Sequence, residues 1–277
     1  MGTLYVVATP IGNLGDMTPR AVETLRSVAL IAAEDTRHTA GLLRAFDIQT
    51  PTISYHHHNR AARADRLLAA LATGDVAIVS DAGTPAIADP GHELVAAAIA
   101  NGHVVVPIPG ASSVLAAVVG SGIVPGPFTF IGFLPRAGDE RAVAIGRTLS
   151  LPYPVIFFES PLRTIDTLRD LEAIAPDREV VVARELTKLH EEFIRGQVGD
   201  VISQLEQVPP RGEIVIVVGA GEGEAGGGGE AETLARSLLS QGMKPSKVAR
   251  EIAAASGIDS AEAYGLVQRL RGAPESS

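Results

Sequence analysis

Val76-Ala77-Ile78-Val79-Ser80-Asp81-Ala82-Gly83-Thr84-Pro85 decides how the rest of the chain is read. A short apolar run stops abruptly at Ser-Asp and opens into a loop of small residues. An apolar run of this length, bounded by turn formers, suits a buried parallel strand. Ligands of open α/β sheets sit at the carboxyl ends of such strands, and small residues there let a ligand approach the backbone. Alone, the segment fits a bare tight turn equally well. Its neighbours along the chain tip the balance.

The same pattern of strand, small-residue loop and helix occurs on either side of it. Leu4 to Ala8 is an apolar run that enters Thr9-Pro10-Ile11-Gly12-Asn13-Leu14-Gly15-Asp16, and Thr18-Pro19 then reads as a helix cap and first helical residue. The loop is neither Gly-x-Gly-x-x-Gly nor a P-loop with its Lys-Ser/Thr, which counts against an ordinary dinucleotide or nucleotide-hydrolase site. His103 to Ile108 is another strand, and Pro109-Gly110-Ala111-Ser112-Ser113 opens an Ala/Val-rich helix. Ser112 or Ser113 either caps that helix or receives a ligand's polar atoms. Leu30 to Ala33 ends in Glu34-Asp35-Thr36-Arg37-His38. Asp35 or Thr36 caps the following helix there, or the cluster works beside the other loops.

Composition narrows the class. The chain has 277 residues, 46% of them hydrophobic, enough for two domains, and no cysteine, which excludes disulfides, thiolate chemistry and thiolate metal sites. No apolar run approaches a membrane span, and the start, Met1-Gly2-Thr3-Leu4-Tyr5, lacks a signal-peptide pattern, so a cytoplasmic protein is expected. The net charge of −9 argues against a broad non-specific grip on nucleic acid, without excluding a local basic face. Three adjacent histidines, His56-His57-His58, cannot all point one way on a strand, so no metal is expected there. Arg60, Arg63 and Arg66 follow every third residue, either as a face for an anionic substrate or as a solvated helix surface.

Ser121 to Pro127 is rich in turn formers and marks a boundary. Beyond it, strands are expected at Phe128–Phe133, Val155–Phe158, Glu179–Ala183, Glu191–Gly196 and Gly212–Val218, with a helix over Val198–Leu205. Glu159-Ser160-Pro161 and Arg184-Glu185-Leu186-Thr187-Lys188 are polar clusters at strand ends. The Gly- and Glu-rich stretch Ala220–Glu232 reads as a flexible linker. A small trihelical module of helix-turn-helix character follows, with Ser260 capping its last helix and Lys244, Lys247, Arg250, Arg269 and Arg271 on its surface. The module is basic enough for nucleic acid, and equally suits docking or dimerisation. The expected layout is therefore α/β: an N-terminal domain over 1–122, a second α/β domain over 123–219, a linker over 220–232 and a helical module over 233–272.

Five motifs in order carry a family resemblance: Thr9 to Asp16, Glu34-Asp35-Thr36-Arg37, Ser80 to Pro85, Gly132-Phe133-Leu134-Pro135 and Arg184 to Lys188. From about Leu4 to Val218 the chain resembles the ribosomal RNA small subunit methyltransferase I family of the tetrapyrrole methylase superfamily. The resemblance implies two α/β domains with S-adenosylmethionine in the cleft between them. It also implies methylation of the ribose 2′-hydroxyl of a cytidine in the decoding region of 16S rRNA, free or within an assembled small subunit, by a homodimer. By position in the family's motifs, cofactor contacts are expected at Pro10, Asp81, Ala82, Gly83, Thr84, Ile87, Ser112, Ser113, Glu159, Leu186 and Gly212, although Asp81 equally braces its turn. The chain departs from the family pattern at Ala88 and Ser113, where Ser and Ala are expected, without altering the backbone path.

The implied chemistry sets its own demands. A sulfonium methyl is already activated, so the enzyme mainly aligns the nucleophile. A ribose hydroxyl still needs its proton drawn away or its anion stabilised. Lys188 is the expected group for lowering the hydroxyl's pKa, with Glu185 or Asp35 orienting it; an interdomain ion pair is the plainer alternative. Arg20, Arg37, Arg60, Arg63, Arg66, Arg136, Lys247 and Arg250 are the expected RNA contacts. Two rivals stand beside this reading: a methylase acting on a tetrapyrrole or other small molecule, and a non-catalytic ligand sensor that binds DNA through residues 230–272.

Overall fold

The computed structural model describes residues 2–56, 60–221, 231, 235, 238–239, 243–256 and 258–272. The first sheet is built from β1 (Thr3–Val7), β2 (Leu30–Ala33), β3 (Thr52–Ser54), β4 (Val76–Val79) and β5 (Val104–Ile108). Its order is β3-β2-β4-β1-β5, with every pairing parallel. The crossovers are α1 (Pro19–Ser27), α2 (Thr36–Ala45), α3 (Arg60–Thr73) and α4 (His92–Ala100). All four residues of β4 are buried. Ala77 and Val79 face one core cluster while Val76 and Ile78 face the other, as the two-residue period of a strand covered on both sides requires.

The second sheet comprises β6 (Thr129–Phe133), β7 (Val155–Glu159), β8 (Glu179–Arg184), β9 (Glu192–Gln197) and β10 (Ile214–Val218), in the order β6-β7-β10-β8-β9. Only β6 and β7 run parallel; the other pairs are antiparallel. One face packs on α6 (Gly138–Ser150), α7 (Pro161–Glu172) and α8 (Val198–Gln207) through Ile145, Leu168, Leu171, Val201 and Leu205.

The other face takes a helix that follows the first sheet. In α5 (Ser113–Ser121), Val114 and Ala117 pack with Ile156, Val181, Ala183, Val215 and Val217. Two features seat the far end of this helix. A Cβ on Gly120 would lie 2.3 Å from the Phe193 ring, so only glycine allows the approach. Arg195 of β9 donates to the carbonyls of Gly120 (2.5 Å) and Ser121 (3.1 Å), closing the helix's carboxyl end with a cation.

The sequence reading needs two adjustments here. The edge strand starts at Glu192 rather than Glu191, whose carboxylate instead accepts the Thr187 N–H at 2.6 Å. Asp259, not Ser260, caps the last helix: its Oδ1 accepts the N–H groups of Ala261 and Glu262, both at 2.8 Å. In the C-terminal region α9 (Pro245–Ser256) and α10 (Ser260–Gly272) share a small core with Ala231 and Ala235. Most of the expected linker, residues 222–230 and 232, lies outside the described residues, as do His57, His58 and Asn59 and the Arg60 and Arg271 side chains. Among the described residues no helix is long and apolar enough to cross a membrane.

Candidate active site

The loops after β1 and β4 are joined by backbone. Thr9 N–H donates to the Gly83 carbonyl (2.9 Å) and Gly83 N–H to that of Thr9 (3.1 Å). Gly83 holds φ of +73°, which suits glycine. This joint lies where the strand order of the first sheet reverses, the place at which ligands enter open α/β sheets.

A cleft of about 330 Å³ opens there between the two sheets. Ala82, Gly83, Thr84, Ile87, Ser112, Ser113, Glu159 and Gly212 line it, so eight of the expected cofactor positions meet around one cavity. Pro10 does not line it, though its neighbour Ile11 does. Leu186 is turned away into the apolar core under the second sheet. Asp81 also falls outside the lining: its Oδ1 accepts the Asp35 N–H at 3.0 Å, bracing the turn. Glu159 reaches the wall, but its carboxylate is fully buried and held by Arg163 (2.6 Å), Thr167 (2.8 Å) and the Ser160 N–H (2.7 Å). Arg141 lies 3.9 Å from the same carboxylate and also pairs with Asp170 at 2.9 Å.

Several wall residues were not expected. Asp89 is the most consequential. Burial, then the neighbouring charge of Glu34, pushes its carboxyl up to about 7; the Ser80 hydroxyl acts against this and Asp81 adds to it. Its loop is strained, with Ala86 and Ala88 at φ of 67° and 62°, in the left-handed region that side chains avoid. Phe133 and Phe158 form an aromatic wall, packed edge to face at 5.4 Å, with Ile214 and Val215 completing the apolar side. Phe133 belongs to the Gly132-Phe133-Leu134-Pro135 motif.

The expected catalytic cluster is assembled in part. Lys188 Nζ lies 3.0 Å from Glu185 and 3.4 Å from Glu213, and Glu213 lines the cleft. The Lys188 stem crosses over the first loop: a Cβ on Gly12 would fall 2.4 Å from Lys188 Cγ. Burial lowers the lysine's pKa, but the hydrogen bond to Glu185 and the charges of Glu213 and Glu185 outweigh it, so the pKa ends up raised and the ammonium stays charged. The Lys188 hydrogen bond likewise holds Glu185 below its usual range. Glu185 and Thr187 sit at φ of 51° and 66°, a second strained loop beside the cleft. Gly212, at φ of +74°, leaves room for Glu185; a Cβ would lie 1.8 Å from its Oε1.

Asp35 is occupied elsewhere. It caps α2 and pairs with Arg37 at 2.8 Å, and that hydrogen bond lowers its pKa to about 2. Among the expected RNA contacts, Arg20, Arg37, Arg66, Arg136, Lys247 and Arg250 are exposed and Arg63 is half-buried. Arg37 is thus already neutralised in part, and Arg250 lies 3.8 Å from Glu251. Among the described residues no group of three His, Asp or Glu side chains could hold a metal ion.

Comparison with known proteins places these paired α/β sheets in a methylase family. The family model of the Tetrapyrrole (Corrin/Porphyrin) Methylases matches residues 3–202. Solved structures share the fold at low identity. A diphthine synthase superposes with a TM-score of 0.62 at 13% identity, covering 79% of this chain and 90% of its own. A uroporphyrin-III C-methyltransferase from Thermus thermophilus, in complex with S-adenosylhomocysteine, gives 0.56 at 18% identity, covering 79% and 97%. Curated relatives are far nearer in sequence. Ribosomal RNA small subunit methyltransferase I of Synechocystis is 46% identical over 98% of this chain and 99% of its own. That of Streptococcus pyogenes serotype M1 is 45% identical over 95% and 93%. The chain belongs to the tetrapyrrole methylase family, and within it to the ribosomal RNA small subunit methyltransferase I group.

Proposed function

We propose that this chain transfers a methyl group from S-adenosylmethionine to the ribose 2′-hydroxyl of a cytidine in the decoding region of 16S rRNA. It does so in the cytoplasm, as a homodimer. The observation that carries this reading is the 46% identity to a named small-subunit rRNA methyltransferase along nearly the whole chain.

The cleft suits the cofactor chemically. Small residues at Ala82, Gly83 and Thr84 bring backbone to the surface, and Asp89, with Glu34 and Asp81 behind it, offers negative charge to a sulfonium and an ammonium. Ser112 and Ser113 add hydroxyls, while Phe158, Ile214 and Val215 supply an apolar side for a purine. When bound, S-adenosylmethionine supplies a methyl group already activated for transfer to oxygen. What remains for the protein is to position the acceptor and favour its anion. Lys188 keeps its proton on Nζ and lowers the hydroxyl's pKa through its charge, and Glu185, held by Gly212 and the left-handed backbone, fixes the lysine's direction.

The test is a map of 2′-O-methylation in small-subunit RNA from cells with and without the gene, and after incubating unmodified subunits with protein and cofactor. A new mark on one decoding-region cytidine is expected. Methylation of a precorrin instead of the subunit would favour the small-molecule reading.

A further inference from the structure

One wall of the cleft is unlike the rest. Phe133 lines the cavity yet remains 56% exposed, an aromatic ring left in water at the edge of the site. Ile87 stands on the opposite wall, 47% exposed. The ring packs on Phe158 and still keeps more than half its surface open beside a formed cavity, which leaves room for a flat ligand to lie on it. Its orientation is set from behind. Phe158 meets it edge to face at 5.4 Å, and Phe130 meets Phe158 at 5.0 Å. β6 carries an irregularity in register between Phe130 and Phe133, with Gly132 at φ of +69°, which turns the strand end where Phe133 sits.

We infer that Phe133 is the platform on which the target nucleobase stacks while its ribose is presented to the cleft. The inference rests on the RNA substrate proposed above. A nucleotide methylated on its ribose inside a cleft must leave its neighbours in the RNA, and the stacking it loses has to be replaced. A fixed, exposed aromatic ring replaces it without reading the base edge, because every base has a π-face. Phe133 is therefore a positioning residue, acting on where the ribose stands and leaving the cofactor's own wall to Phe158, Ile214 and Val215.

The experiment uses the full chain and unmodified small subunits. Phe133→Ala should raise KM for subunits by about tenfold or more, with S-adenosylmethionine affinity by calorimetry changed less than about twofold. Phe133→Tyr and Phe133→Trp should recover most of the loss. The chain contains no tryptophan, so Phe133→Trp also introduces a single fluorescent indole. Its emission should stay unchanged on adding S-adenosylhomocysteine. Quenching by that ligand, or a fall in cofactor affinity matching the rise in KM, would make Phe133 part of the adenine site and overturn the inference. Unchanged KM in Phe133→Ala would also overturn it. Wild-type protein that leaves subunits unmethylated would instead sink the functional reading, separately from either result.

Discussion

Replacing Asp89 with Asn should uncouple cofactor binding from pH. In the free protein, burial and the Glu34 charge put the Asp89 carboxyl at about 7. A cationic ligand favours the ionised form, so apparent affinity follows the ionised fraction. For a group titrating at about 7, that fraction rises from about 0.09 at about pH 6 to about 0.76 at about pH 7.5, and S-adenosylmethionine binding tightens roughly eightfold. Asp89→Asn should flatten this slope. It should also weaken binding at about pH 7.5 by on the order of 1–2 kcal/mol, the worth of one partly screened opposite charge. Stability moves the other way. A carboxyl raised in the folded state binds protons more tightly folded than unfolded, so wild-type protein loses stability as pH climbs from about 4 to about 7. The Asn variant lacks that loss and should melt higher than wild type at about pH 8 while binding more weakly. Titration calorimetry and thermal melts across this range test both signs. A pH slope that survives in Asp89→Asn, or a flat wild-type profile, would refute the assignment.

Three further changes probe the rest of the site. Lys188→Ala should lower kcat by about 10²–10³-fold with cofactor affinity intact, read by single-turnover methylation at saturating cofactor; near-normal turnover would clear Lys188 of its role. Gly212→Ala places a side chain 1.8 Å from Glu185 Oε1 at φ of +74°, so it should cost about 1–2 kcal/mol in strain and reduce turnover further by displacing Glu185 from Lys188. Glu159→Gln leaves the Arg163 and Arg141 guanidinium groups without their buried anion and should cost about 3–5 kcal/mol in urea unfolding. A loss below about 1 kcal/mol would show that Glu159 is not the clamp it resembles.

Much of the fold could be read from local pattern. The run Val76–Val79 is a strand buried on both faces, and the small residues after it do form a wall of the cleft. Thr18 and Asp35 cap the helices they precede. What escaped depended on partners distant in sequence. Asp89 carries no local sign of its role, since only folding brings Glu34 and Asp81 close enough to shift its titration. Leu186 stands between two neighbours with positive φ, and that backbone turns it into the core, while Glu185 and Lys188 stay outside the cavity lining and reach it only through Glu213. Helix α5 is Ala/Val-rich without a one-sided stripe, so its sequence gave no sign of which sheet it would cover.

That helix has a mechanical consequence. Its first residues, Ser113 and Val114, line the cleft, while its last turn is fastened to the second sheet by Arg195 and by the Phe193 ring against Gly120. The two halves therefore cannot swing apart like a clam about a free connection, since doing so would strip an apolar helix from its bed. The floor of the cleft is fixed in width.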